Sequence, residues 1–166
     1  MITASNTDEI AKQLEEFSKE VERKMKNMVA GFAREVAITA SENTPVGSND
    51  MFVENTRYRN YYLNRQDEYG LPVEPGYHSG AWQYTEGSPT FKPVIFTTED
   101  VANDVFNEAE VSYKLGDTFA IAATGPAFAD LENGSSIQAP QGIGIPTVAQ
   151  IQTAHQADLK KYYDAG

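Results

Sequence analysis

Twenty-four carboxylates, two histidines, nine tyrosines and no cysteine are the side chains from which any chemistry in this chain has to be built. Their spacing assembles no catalytic constellation. His78 and His155 stand outside any His-Glu-x-x-His or Cys/His spacing, so neither reads as a metal ligand. His155, beside Gln152 and Gln156, reads as a solvated helix residue. Ser79 lacks the Gly-x-Ser-x-Gly frame of a nucleophile elbow. Gly142-Ile-Gly-Ile-Pro is a lone Gly-x-Gly with proline where a phosphate-binding helix turn should run. Glu99-Asp100 and Glu108 with Glu110 have the charge to hold a divalent cation but no Asp-x-Asp-x-Asp-Gly loop, and read as solvated acids. Glu132 has no partner acid or histidine placed to make it a general base, Asp130 being expected on the outward side of its turn. Asn133-Gly134-Ser135 matches a glycosylation sequon but reads as a turn. The expectation is a protein that is not an enzyme and uses neither metal nor cofactor.

Charge points the same way. The net charge is −11, and nearly all of it lies in residues 66–135, where twelve acids face only Lys92 and Lys114. A surface of that sign repels phosphate backbones, which argues against specific DNA binding. The counter-example is residues 57–65, where Arg57, Arg59 and Arg65 interleave with Tyr58, Tyr61 and Tyr62. That mixture suits stacking on single-stranded nucleic acid or sugars, with Trp82 as a further ring. It suits a protein interface better, because tyrosine and arginine are favoured anchors there. No apolar run approaches a membrane span, no secretion signal opens the chain, and cysteine is absent. These features fit a reducing cytoplasm or a particle assembled in one.

The elements that must position these residues form an α+β domain. A long N-terminal helix packs on a small, mostly antiparallel β-sheet, with a short middle helix and a C-terminal helix. Residues 7–43 read as the long helix, with Ile10, Leu14, Phe17, Val21, Met25, Met28, Phe32 and Val36 along one face. Glu15 with Lys19, Glu20 with Lys24, and Glu22 with Lys26 stand at i,i+4 spacing. Asn6 is its expected cap, with Glu9 as box partner, and Asn43-Thr44-Pro45 its stop. At about 37 residues it would span roughly 55 Å, longer than one core of this size needs. A coiled coil is the rival, but Gly31 and the alanine-rich end suit a helix lying on a sheet. Residues 80–85, 91–97 and 117–123 read as strands, the second at an edge because of Pro93. Thr98 is expected to cap a helix over 99–110, and Thr147 the C-terminal helix. The whole chain, 1–166, reads as one domain, with residues 51–77 an extended insertion arm.

Three local patterns, in order, resemble the tail-completion and neck proteins of tailed bacteriophages, the minor tail protein Z-like, head–tail joining family. The first is Thr44-Pro45-Val46-Gly47 after the long helix, and the second Gly80-Ala81-Trp82. The third and most specific is Leu115-Gly116-Asp117 leading into residues 126–143, Pro-Ala-Phe-Ala-Asp-Leu-Glu-Asn-Gly-Ser-Ser-Ile-Gln-Ala-Pro-Gln-Gly-Ile. It is similar to the family's Leu-Glu-x-Gly-x-Ser-x-Gln-Ala-Pro-x-Gly signature, carried here by Glu132, Gly134, Ser136, Gln138, Ala139, Pro140 and Gly142. In that loop Glu132 is expected to accept hydrogen bonds from the backbone of residues 133–136, Gly134 to take a positive φ, and Ala139-Pro140 to form an extended edge. Val46-Gly47 lacks the family's aspartate, and Phe128 and Ile143 replace its tyrosine and methionine. The resemblance implies a non-enzymatic virion structural protein of the neck. It would form a homo-oligomeric ring, expected to be a hexamer, between the head connector or adaptor and the tail tube or tail terminator. DNA would pass through without specific binding, past an acidic face of Glu99, Asp100, Asp104 and Glu108. Arg57, Tyr58, Arg59, Tyr61, Tyr62 and Arg65 would serve subunit or partner contacts. A tail terminator or head-closure ring is the alternative; the remote one is a carbohydrate- or single-stranded nucleic-acid-binding module.

Overall fold

A computed structural model of the chain describes residues 4–46, 78–90, 97–125, 128–134 and 138–164, for 4–6 and 157–164 the backbone alone. In order come helix α1 (Ala4–Asn43), a single 3-10 turn (Ser79–Ala81), strand β1 (Gln83–Thr85), α2 (Thr98–Ser112), β2 (Ala120–Ala122), α3 (Phe128–Glu132) and α4 (Gly144–Asp164). The fold is α+β and rich in helix, as expected. Its described strands pair antiparallel, with Gln83 opposite Ala122, Tyr84 opposite Ile121 and Thr85 opposite Ala120. Two three-residue strands cannot stand alone in water. Here Tyr84 and Ile121 lean on the same apolar cluster as α1 and α2. The strand expected over 91–97 lies outside the described residues except for Thr97.

Helix α1 starts at Ala4, so Asn6 falls inside it rather than at its cap. It stops at Asn43, where Pro45 requires, and the Thr44 hydroxyl closes the end by donating to the Ala40 carbonyl at 2.7 Å. All three expected i,i+4 ion pairs form, at 2.6 Å for Lys19 with Glu15, 3.4 Å for Lys24 with Glu20 and 3.2 Å for Lys26 with Glu22. The inward face is a surprise. Ala30, Ala33, Ala37 and Ala40 are buried to 1% exposure or less, while Ile10, Leu14, Phe17, Val21, Met25, Met28 and Phe32 are between 38% and 68% exposed. At about 100° per residue the two rows point roughly 140° apart around the helix. The large apolar row therefore faces away from α2, and α1 contributes only methyl groups to the contact with that helix.

Helix α2 supplies the other half of that contact through Val101, Ala102, Val105 and Ala109, all buried. Its cap is Thr97, one residue earlier than expected. The Thr97 hydroxyl accepts from the Asp100 amide at 3.1 Å while the Asp100 carboxylate accepts from the Thr97 amide at 3.1 Å. The Thr97 hydroxyl, which also donates to the Asp100 carboxylate at 2.6 Å, and then the Thr97 amide hold that carboxyl below the usual carboxylate range. Thr98 is thus freed to meet Ser41 of α1, oxygen to oxygen at 2.9 Å. Beneath the helix pair, Tyr84 stacks on Phe119 at 5.0 Å, and Tyr113 meets Phe119 edge-on at 5.8 Å.

Because Ala37 is fully enclosed, Ala37→Leu should force the two helices apart and cost about 1–3 kcal/mol. Thermal unfolding measures it; an unchanged melting temperature would show that α1 does not pack on α2 through this face.

Candidate functional site

The described signature residues run from the end of α3 to the start of α4. Phe128 is buried, Leu131 half-buried and Asp130 exposed, so α3 turns its apolar side inward as its pattern requires. Gly134 ends the helix with φ +73°, its amide donating to the Leu131 carbonyl at 3.1 Å. The backbone then comes back close: a Cβ on Gly134 would stand 2.5 Å from the Pro140 carbonyl oxygen. One on Gly142, at φ +75°, would collide with the Glu132 carbonyl oxygen. Ile143 is fully buried and Ala139 nearly so, in a cluster with Ala81 and Phe128. Pro140 and Gln138 are exposed, and Ser136 lies outside the described residues.

Glu132 has a different task from the expected one. Its carboxylate accepts from the Ile143 amide at 3.1 Å and the Gly144 amide at 3.1 and 3.2 Å. These N–H groups open α4 and have no acceptor within the helix, so the carboxylate caps them from the preceding helix. Helix α4 accordingly begins at Gly144, and Thr147 sits inside it, donating to the Ile143 carbonyl at 2.8 Å. Gly144 is close under the carboxylate as well, with an added Cβ only 2.8 Å from Glu132 Oε1.

Trp82 joins this loop to the main core. The half-buried indole packs against both apolar clusters, meets Phe128 edge-on at 5.6 Å and donates Nε1–H to Thr44 at 2.9 Å. It is a wedge in the structure, not a platform held out for a ligand. His78 lies beneath, edge-on to Phe128 at 5.5 Å, and burial pushes its imidazole down to about 4. Helix α4 returns antiparallel along the end of α1. Asn43 Nδ2 donates to Thr147 and Gln150, at 3.1 and 3.2 Å, and His155 Nε2 meets Glu35 at 2.9 Å while its ring lies edge-on to Phe32. His155 is therefore a docking residue between helices and not the solvated side chain its glutamine neighbours suggest.

The acidic set divides. Glu99 turns to Arg34 of α1, 2.8 Å away, and Asp100 serves the α2 cap. Asp100, Asp104 and Glu108 recur every four residues on the exposed side of α2. Among the described residues no three acids or histidines are placed to hold a metal ion, and no helix is long and apolar enough to cross a membrane. Arg57, Tyr58, Arg59, Tyr61, Tyr62 and Arg65 lie outside the described residues. What the sequence reading missed is the buried alanine face of α1. The signal was present, since alanine at 30, 33, 37 and 40 marks a second face at helical spacing. No family model, curated protein or solved structure matches the chain.

Gly142→Ala should cost about 2–4 kcal/mol through φ strain and the backbone collision. Glu132→Gln, which keeps the shape but removes the charge, should cost about 1 kcal/mol. Chemical denaturation tests both, and a Gly142→Ala protein as stable as the parent would refute the close approach. His78 stays neutral in the fold down to about 4, whereas an unfolded imidazole protonates near 6.5. The unfolded chain thus binds the extra proton between those values. The contribution of His78 is full above pH 6.5 and falls away as the pH drops toward 4, by about 3 kcal/mol in all. His78→Gln should flatten the difference in stability between pH 7 and pH 4.5; an unchanged slope would mean the ring is not buried.

Proposed function

We propose that the chain is a non-enzymatic structural subunit of the neck of a tailed bacteriophage, assembled in the host cytoplasm into a ring, expected to be a hexamer. The ring joins the head connector to the tail tube or tail terminator, and DNA passes through it without being read. The observation that carries this reading is the loop of residues 126–144. The resemblance rests on its Leu-Glu-x-Gly pattern and its Gln-Ala-Pro-x-Gly pattern. In the fold, the positions with the strictest stereochemistry in those patterns, Glu132, Gly134 and Gly142, are the ones the loop geometry demands. A chain under no such constraint has no physical reason to hold that spacing.

Two further observations support it. Helix α1, forty residues and about 60 Å long, carries more exposed apolar surface than a lone subunit uses. The row of Asp100, Asp104 and Glu108 on α2 gives a face that repels nucleic acid, which suits a wall past which DNA slides.

Silencing the chain during productive infection should leave filled heads and separate tails, and the chain should be found at the head–tail junction of intact particles by electron cryomicroscopy. Normal yields of joined particles without the chain, or purified particles that do not contain it, would overturn the assignment.

A further inference from the structure

The outward row of α1 has a symmetry that the fold of one chain does not use. Its positions, 10, 14, 17, 21, 25, 28 and 32, advance by 4, 3, 4 and again 4, 3, 4, which is an eleven-residue repeat taken twice. Eleven residues in three turns keep such a row nearly straight along a helix, where a seven-residue repeat would drift. The series also reads the same in both directions about Val21. Turning a second copy end for end therefore sets Ile10 against Phe32, Leu14 against Met28, Phe17 against Met25, and Val21 against itself. We infer that the free chain forms an antiparallel two-fold pair with a second copy of itself through this face of α1.

Area agrees with that occupant. The seven side chains are 38–68% exposed, on the order of 600–700 Å² of apolar surface per copy at the areas such residues present. A lone soluble domain seldom leaves that much in one patch, and about 800 Å² per partner is the size of a standard stable interface. The row runs for about 33 Å. Lys12, Glu15, Glu16, Lys19, Arg23 and Lys26 all sit on the back of the helix, clear of the contact. A face that matches itself about a two-fold makes a closed pair and stops there. The pairing is a property of the free chain and uses the same face of α1 that supports the neck reading, so a ring built through that face would replace the pair.

The chain has no cysteine of its own, so single introduced thiols report the geometry without background. Val21→Cys should give a disulfide-linked dimer on mild oxidation. Leu14→Cys alone should give little, and a mixture of Leu14→Cys with Met28→Cys should link efficiently. Sedimentation equilibrium of the unmodified full chain at tens of micromolar should return twice the chain mass. Phe17→Glu should return the single mass with helical content and melting of the body retained. A monomer for the unmodified chain, or linkage by Leu14→Cys alone in preference to the mixture, would overturn the pairing. So would an oligomer whose Val21→Cys form does not cross-link.

Discussion

The constraint on which the rest of this molecule depends is the close approach of α1 to α2 across an alanine face. Four alanines with essentially no exposure, at 30, 33, 37 and 40, let the helices meet with only methyl groups and the valines of α2 between them. That contact holds little volume, so each methyl is hemmed in and the site is intolerant of enlargement. It also fixes which way α1 is rotated. Once the small residues are inside, the phenylalanines, methionines and leucine of the same helix have to face out. The apolar row is thus a consequence of the core and not an independent decoration of it.

From that pair the remaining elements are hung by a few directed contacts. Trp82 wedges between two apolar clusters and hydrogen-bonds Thr44 at the end of α1. Asn43 and Glu35 of α1 hold α4 by its first and third turns, and Glu132 ties α3 to the start of α4. The last of these links serves amides that would otherwise be left without an acceptor at a helix start. Exposed ion pairs such as Arg34 with Glu99 contribute little beside them, since solvent competes for both charges. The loop signature is in this light a device for starting a helix at a fixed place and angle. Glycine where two backbones nearly touch and a carboxylate where amides open a helix are answers to geometry.

Much of this was legible in the sequence, and the failures have physical causes. The long helix and its stop were readable because periodicity and Pro45 are local signals. So were the buried side of α2, the turn of α3 and the positive φ of Gly134. Caps were misplaced by a residue or more at Thr98 and Thr147. Thr97 and Thr98 compete at the start of α2, where a distant partner, Ser41, draws Thr98 away, and the start of α4 is capped from another helix by Glu132. His155 was misread for the same reason: its partner, Glu35, is 120 residues away in the chain. The orientation of α1 was read from the larger apolar residues, because hydrophobicity scales weight leucine and phenylalanine above alanine. They do not register that only small side chains permit two helices to approach closely.

That last error bears on function. A helix with one face for its own core and another of larger apolar residues has divided two tasks that most surface helices do not separate. Substitutions in the alanine row change stability, whereas substitutions in the outer row leave the body intact and change what the surface can meet. Such a division is useful to a subunit that must fold first and associate afterwards, because the associating surface is exposed in the folded monomer and costs no unfolding to present. The acidic row of α2 stands on the far side of that helix from the alanine contact and adds like-charge repulsion there. The pairing proposed above uses the outer side of α1, not this acidic face.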